Sequence, residues 1–480
     1  MNLNQTLQEK YPHLEVSVLK LSEVKKNIDF RIDDSFWTMK LIYNNKLNYK
    51  KIGECLLKSQ YGISINMNEG GDGIPIYRMN DIDNMLCNFE VKKYALIDKN
   101  ELQTFRLNYG DVLFNRTNSY EFVGRTGIFY NNRENFVFAS YLVRLVCNKE
   151  ILLPEYLTVF LNTHIGKKEI RRRARPSINQ TNVNPEELKE IKIPIFPMEF
   201  QLEIQNLVKD SHKALEESKE LYKKAEETLY LELGLDPKNP LQSLLDSKTN
   251  IPTNSLNISI RTLKESFLKT GRLDSEYYQK KYEINEKIIM NKKYTVLDNL
   301  VSITKSIEPG SNLYKNKGIP FIRVTNLTQY GLSEGDVFLD EKDFFPQYLQ
   351  ILYPKKDTIL FSKDGSVGIA YCVKEDKEVI TSGAILHLNI KDKENILPEY
   401  LTLFLNSIFV KLQAQRDCGG SIISHWRIED IKKVLVAILD IKIQEKIAKY
   451  IQESFNLRKK SKQLLDNAKN KVEEQIQGKI

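Results

Sequence analysis

The chain is poor in the features that mark secreted, membrane-bound or metal-dependent proteins. Its 480 residues hold 5 cysteines, Cys55, Cys87, Cys147, Cys372 and Cys418, with no CxxC pair. An odd, scattered set reads as reduced thiols in strands and argues against a disulfide frame or a zinc knuckle. The 5 histidines, His13, His164, His212, His387 and His425, form no ligand-spaced pair, so no metal is expected. No apolar run reaches the ~18 residues of a membrane span. The opening residues Met1-Asn2-Leu3-Asn4-Gln5-Thr6 lack the basic and apolar segments of a secretory leader. A cytoplasmic chain without a membrane partner is expected. Catalytic signatures are missing as well: there is no GxxxxGK(S/T) loop or HExxH. Neither the glycine-rich cofactor loop nor the Asn/Asp-Pro-Pro-aromatic turn of an amino-methyltransferase is present. The reading is therefore a non-enzyme with no cofactor.

What is present is ordinary in bulk and unusual in order. Hydrophobic residues make up 41% and charged residues 28%, as in folded soluble proteins. The net charge of +8 suits nucleic acid without establishing it. The length exceeds one core and suggests about three units at ~150 residues each.

A repeat refines that division. Pro154-Glu155-Tyr156-Leu157-Thr158-Val159-Phe160-Leu161-Asn162 returns 244 positions later as Pro398-Glu399-Tyr400-Leu401-Thr402-Leu403-Phe404-Leu405-Asn406. Each copy continues through a polar loop into a β-branched run, Ile191-Lys192-Ile193-Pro194-Ile195 or Val434-Leu435-Val436-Ala437-Ile438, and then a helix led by Gln201 or Gln444. This is an internal duplication. Stepping by four and three gives Ile204, Val208, Ser211, Leu215, Ser218, Tyr222, Ala225 and Leu229, and in the second copy Ile447, Ile451, Ser454, Arg458, Ser461, Leu465, Ala468 and Val472. That spacing is a coiled-coil seam, and its small Ser and Ala residues allow close backbone approach. Each helix needs a partner, and the other copy is the simplest one. An antiparallel pair is expected, with a run of roughly 30 residues spanning about 45 Å at ~1.5 Å rise. Two separate amphipathic helices, each on its own domain, are the plain alternative.

Other segments repeat more weakly. Residues 14–37 and 256–278 form a shared preamble in which Arg31 and Asp33 precede Phe36-Trp37, as Arg272 and Asp274 precede Tyr277-Tyr278. The two Arg/Asp pairs read as structural ties. From about 48 to 153 and 293 to 397, short β-branched or aromatic runs broken by Gly, Asn and Asp read as irregular β-rich domains. Gly73-Ile74-Pro75-Ile76-Tyr77-Arg78 matches Gly318-Ile319-Pro320-Phe321-Ile322-Arg323, and Gly110-Asp111-Val112-Leu113-Phe114-Asn115-Arg116 matches Lys356-Asp357-Thr358-Ile359-Leu360-Phe361-Ser362-Lys363.

The paired PEYLTxFLN segments, the apolar-Pro strand Ile193-Pro194-Ile195-Phe196-Pro197 before Gln201, the seam helices and the Gly-Asp-Val-Leu-Phe turn together resemble the specificity subunit of type I restriction-modification systems. The second copy departs in having Ile441-Lys442-Ile443 where the first has its Pro pair. The resemblance implies an α/β (α+β) fold: two β-rich target-recognition domains joined by two long antiparallel helices forming a coiled coil, with internal twofold duplication. Expected boundaries are 1–153 for the first recognition domain with its preamble, 154–235 for the first helical region, 236–255 for a linker, 256–397 for the second recognition domain and 398–480 for the second helical region. It further implies a non-catalytic reader of double-stranded DNA at a bipartite, asymmetric site. Two methyltransferase subunits would be its partners, with restriction subunits joining through them. The recognition partner of another restriction system, or a coiled-coil scaffold for protein binding, are the alternatives.

Candidate DNA contacts follow from residue type, since Arg and Lys neutralise phosphates while Arg, Asn and Gln can read base edges. The most basic stretch supplies Arg171, Arg172, Arg173 and Arg175, and the polar loop after it Ser177, Asn179 and Gln180. Its counterpart in the second copy supplies Arg416, Ser421 and His425. The polar turns after the matched strands add Asn115, Arg116, Asn118, Ser119 and Arg125, then Lys363 and Ser366. Arg78, Asn80, Arg323 and Asn326 follow strand-like runs. For each, a solvated surface residue or a local ion pair is the bland alternative.

Overall fold

The computed structural model describes residues 3–478 except 15, 17, 29, 40, 132–134, 179, 248–259, 345 and 421–423. Asn179, Ser421, much of the expected linker and residues 256–259 of the second preamble lie outside the described residues. The chain divides into two compact units, Met1–Leu215 with Arg458–Ile480, and Glu216–Leu457.

In the first unit a six-stranded sheet runs in the order Leu56–Tyr61, Leu142–Cys147, Val112–Asn115, Thr126–Ile128, Leu86–Cys87, Ile82–Asp83. Its strands are antiparallel except where Leu86 pairs parallel to Ile128. The central strands are mostly apolar because both faces are covered, and the charge within Leu142–Cys147, Arg144, is buried in a pair with Asp111. Val112, Phe114, Val143 and Leu145 face a core that includes Tyr156, Leu157 and Phe160 of the helix Pro154–Asn162. Leu113 and Leu142 face a second core with Tyr77, Phe129 and Phe138. This is the period of two expected of a strand. The second unit repeats the plan on a four-stranded antiparallel sheet, Val301–Lys305, Ile385–Ile390, Ile359–Ser362, Ala370–Cys372. Ile359, Phe361, Leu386 and Leu388 face one core, and Leu360 and Ile385 face another. A smaller sheet in each unit holds the matched strands Ile74–Tyr77 and Ile319–Ile322, each paired in parallel with a later short strand.

The duplicated nonapeptides are scaffold, with every polar side chain occupied. Tyr156 Oη donates to Pro194 O at 2.8 Å and Tyr400 Oη to Ala437 O at 2.7 Å. Asn162 Nδ2 donates to Thr126 O at 3.0 Å and Asn406 Nδ2 to Ala370 O at 2.8 Å, tying each helix to its sheet. Glu155 accepts from Tyr130 and Gln205, and Glu399 from Lys374 and Gln452.

The two long helices are Met198–Glu232 and Ile441–Gln477, so each begins three residues before its glutamine. That shift has a physical reason, because the glutamine sits in the first turn and folds back onto backbone groups of the segments that lead into this helix and into the preceding Pro-Glu-Tyr helix. Gln201 Oε1 accepts from Leu153 N at 2.9 Å, and its Nε2 donates to Ile151 O at 3.1 Å and Phe196 O at 3.0 Å. Gln444 makes the same three bonds, to Leu397 N at 3.0 Å, Asn395 O at 3.1 Å and Leu439 O at 2.9 Å. The second copy therefore keeps the junction without the Pro pair. The first helix ends on Gly234 in the left-handed region (φ 79°), whose N–H returns to Leu231 O, a glycine stop.

The seam is as expected. All eight positions of the first helix are buried except Leu215, and all eight of the second except Arg458, both of which are half-buried. In the first unit Ser211 meets Ser461, and in the second unit Ser218 meets Ser454. The partner number falls as the number rises, so the helices run antiparallel.

Candidate nucleic-acid interface

In the first unit the strand Val112–Asn115 delivers the chain to a loop closed by Gly124, whose N–H donates to Asn115 O at 2.8 Å. Gly124 has φ 85°, and a Cβ on it would come within 2.6 Å of Ile170 Cγ2. Glycine is thus required both by conformation and by the helix His164–Arg173 packed against the loop. After that helix, Arg175–Pro176 turns back on Thr181–Asn182, which pairs in turn with Thr117–Asn118. Two segments separated in sequence by some sixty residues thereby form one three-stranded ledge.

The ledge collects most of the first-copy candidates but gives them different surroundings. Arg171 is exposed, with its guanidinium 5.7 Å from the Tyr120 ring. Arg175, also exposed, reaches Glu187 at 3.1 Å. Ser177 and Gln180 close the hairpin through a 2.7 Å bond from Ser177 N to Gln180 O, and Ile178 at its tip is 97% exposed. Asn118 and Ser119 are half-buried, and the Asn118 side chain accepts from Ser119 N. Arg125 lies 4.0 Å over the Phe122 ring. Arg116 donates to Ser140 O at 3.0 Å and lies over Tyr61 at 5.0 Å.

Three first-copy candidates are engaged in packing. Asn115 is fully buried and its Nδ2 donates to Phe122 O, holding the loop. Arg173 is buried against Glu169, and its carbonyl accepts from Arg31 Nη1. Arg172 donates to Phe36 O at 2.6 Å and lies 4.3 Å over the Phe36 ring; burial, with Arg173 beside it, lowers its pKa.

Arg31 lies on the same ring at 4.8 Å and pairs with Asp33 and Glu187. This tie recurs in the second unit, where Arg272 pairs with Asp274 and lies 4.8 Å over Tyr277, with Arg416 at 5.5 Å. Arg416 is thus the counterpart of Arg172. Burial works against its charge, but Asp417 and Glu286 outweigh burial and raise its pKa.

The second-unit loop leaves Ile359–Ser362 and is closed by Gly368, with φ 85°, whose N–H donates to Ser362 O at 2.9 Å. Ser366 is exposed and its carbonyl accepts from Ser362 Oγ at 2.6 Å. Lys363 pairs with Asp364, which also meets His425 Nδ1 at 2.9 Å. The His425 side chain is 60% exposed.

The strand-end candidates lie on 3-10 turns that follow the small-sheet strands. Arg78 caps a 3-10 turn whose Asp81 accepts from Arg78 N at 2.8 Å, while Asn80 is exposed on that turn. Asn326 takes the place of Asp81 in the second unit, accepting from Arg323 N at 3.0 Å. Arg323 Nη2 donates to both carboxylate oxygens of Asp336, at 2.7 and 2.8 Å, which lowers the Asp336 pKa.

Sequence reasoning overlooked Tyr61, Tyr120 and Phe122, rings that lie beneath the ledge arginines. Asn182 and Asp364, the partners of Thr117 and His425, fall within the polar loop and turn that supply candidates, but sequence reasoning does not single them out. Charge and amide content were the signals used, and neither reports an aromatic platform. A loop-by-loop comparison of the two copies would have raised Asp364 and Asn182.

The family model described as type I restriction modification DNA specificity domain matches residues 64–227 and 291–469. The two matches cover well over half of the chain, which belongs to this family. Its β-rich domains are the target-recognition domains of that family. The chain is 30% identical over 151 residues to the protein named as the MjaX type I restriction enzyme specificity subunit of Methanocaldococcus jannaschii, covering 31% of this chain and 35% of that one. It is 27% identical over 161 residues to the EcoKI specificity subunit of Escherichia coli, covering 33% and 34%. The matches thus span about a third of these relatives. Among solved structures, the S subunit from M. genitalium is 15% identical with a TM-score of 0.40, covering 90% of this chain and 96% of that one. The HsdS subunit from Thermoanaerobacter tengcongensis is 12% identical with a TM-score of 0.30, covering 91% and 98%. Among the described residues no helix is long and apolar enough to cross a membrane.

Proposed function

We propose that this chain is the DNA sequence-recognition subunit of a type I restriction-modification complex, itself without catalysis. It binds a bipartite, asymmetric site and directs two methyltransferase subunits, and through them restriction subunits, to that site. The observation that carries the reading is the pair of ledges. The same backbone plan is built twice, as three short strands in the first unit and as the bridges of His425 to Asp364 and Gly419 in the second, and furnished differently, with Arg171, Arg175, Asn118, Ser119, Ser177 and Gln180 on one ledge and Lys363, Ser366 and His425 on the other. Two unlike readers on one repeated scaffold suit two unlike half-sites. Arg171 and Arg175 serve as phosphate contacts, and Tyr120 and Phe122 as apolar surface beneath them.

The test is recovery of a sequence. The full chain, co-expressed with its methyltransferase partner, is assayed for the bases methylated in host DNA, and the chain alone is used to select from a random duplex pool. A split, asymmetric motif found by both routes is expected. A chain that copurifies with the methyltransferase yet yields no motif by either route would overturn the reading.

A further inference from the structure

The two ledges share a frame closely enough to isolate what differs inside it. Asn115 N donates to Arg125 O at 2.8 Å where Ser362 N donates to Ile369 O at 3.0 Å. Arg116 N donates to Tyr141 O at 3.0 Å where Lys363 N donates to Ala384 O at 2.9 Å. The crossing segments join at one rung, from Val183 N to Arg116 O at 2.9 Å and from Trp426 N to Lys363 O at 2.8 Å. Both loops close on a glycine at φ 85°. Beside that rung, in each unit, the residue after the rung's acceptor meets the residue before its donor. In the first unit these are Thr117 and Asn182, with Thr117 Oγ1 donating to Asn182 Oδ1 at 2.6 Å. In the second unit they are Asp364 and His425, with Asp364 Oδ1 and His425 Nδ1 at 2.9 Å.

We infer that these two equivalent pairs, Thr117–Asn182 and Asp364–His425, are specificity-determining and give the two half-sites opposite hydrogen-bond demands. The inference rests on the DNA-recognition reading above. Each pair fixes the free end of its outer member. With Oδ1 of Asn182 taken by Thr117, the amide turns Nδ2 outward as a donor. A carboxylate can only accept, so Nδ1 of His425 donates to Asp364, and in a neutral imidazole with its proton on Nδ1 the remaining Nε2 is an acceptor. In the major groove a donor suits the acceptor edges of guanine N7/O6, adenine N7 or thymine O4, whereas an acceptor needs the amino group of cytosine or adenine. The first unit's pair therefore reads an acceptor edge, and the second unit's pair reads an amino-bearing base. Lys363 pairs with the other oxygen of Asp364 and so holds the carboxylate turned toward the ring.

The test exchanges the pair within the second unit. Full-length chain with Asp364→Thr and His425→Asn is compared with wild type in selection from a random duplex pool. The expected result is that one half of the bipartite motif is unchanged and the spacer is unchanged. In the other half, one position changes from cytosine or adenine to guanine or thymine, by about tenfold in enrichment. Asp364→Asn alone, which keeps the shape but no longer fixes the tautomer, is expected to relax the preference at that same position. It also decides the matter if the double variant does not fold. Recovery of the wild-type motif in full by either folded variant would overturn the inference. Failure of the wild-type chain to select any motif would instead overturn the DNA-recognition reading on which it rests.

Discussion

Ser211 Oγ lies 2.8 Å from Ser461 Oγ and donates to the Ser461 carbonyl at 2.9 Å. Ser218 and Ser454 repeat the contact at 2.9 Å, with Ser454 Oγ donating to the Ser218 carbonyl at 2.7 Å. A hydroxyl that bonds a backbone carbonyl on the facing helix requires the two backbones to be unusually close, which is what small seam residues permit. Ser211→Ala should cost about 1 kcal/mol, the worth of a hydrogen bond with its buried partner left over. Ser211→Leu should cost more, about 1–3 kcal/mol, by forcing the helices apart. Chemical unfolding of the three proteins checks the order, and a leucine variant as stable as wild type would show that the seam is looser than drawn.

The glutamines at the helix starts make a sharper case, because each serves one donor and two acceptors at once. Gln201→Glu keeps the shape and still accepts from Leu153 N, but its carboxylate faces the carbonyls of Ile151 and Phe196. Two attractive contacts become repulsive in a buried place, so the loss should reach about 3 kcal/mol. Gln444→Glu should do the same to the second unit. If raising the proton concentration restores the loss, the carboxylate is confirmed as its source. A variant indifferent to pH would point to packing instead.

What the sequence revealed and what it hid divide along physical lines. The seam was readable because burial on a helix leaves a period, and Ile204 to Leu229 and Ile447 to Val472 carry it openly. The strands Val112–Asn115 and Ile359–Ser362 were readable as matched apolar runs, although only the fold shows that alternate residues serve opposite cores. The helix starts were placed three residues late because the glutamine signal marks a side chain that folds back, not the first helical residue. The site was harder. Arg171, Arg172 and Arg173 are consecutive and identical in sequence, yet a helix sends neighbours about 100° apart. One therefore faces solvent, one stacks on Phe36 and one is buried on Glu169. The contact of Thr117 with Asn182 joins residues 65 positions apart, and no local pattern reports such a meeting.

His387 offers a pH-dependent check on the second unit. It sits buried in the strand Ile385–Ile390 with Nε2 2.8 Å from Thr381 Oγ1, and burial pushes its pKa from 6.5 down to about 4. The folded state thus holds fewer protons than the unfolded state between those values. Stability should be complete above about pH 6.5 and fall as pH drops toward 4, where the loss levels off at roughly 3 kcal/mol. In a Trp37→Phe background, Trp426 fluorescence reports unfolding of its own unit. The stability of this protein relative to its His387→Leu variant should fall steadily from pH 6.5 to 4. A constant difference across that range would place the imidazole in a less buried setting.

The arginine run allows stability and DNA binding to be separated by one residue. Arg172→Ala removes a stack on Phe36 and a 2.6 Å bond to its carbonyl, ties that hold the preamble to the basic helix. It should cost about 1–2 kcal/mol. Arg416→Ala, its counterpart, strands Asp417 and Glu286 in a largely buried site and should cost about 3 kcal/mol. Arg171→Ala removes an exposed guanidinium and should leave the melting temperature unchanged. Under the proposed function it should weaken binding to all sequences alike and reduce the slope of log affinity against log salt by about 1. Thermal unfolding and salt titrations of DNA binding, run on the same three variants, test both halves. If Arg171→Ala melts early, or Arg172→Ala alone flattens the salt slope at full stability, the assignment of the two neighbours must be exchanged.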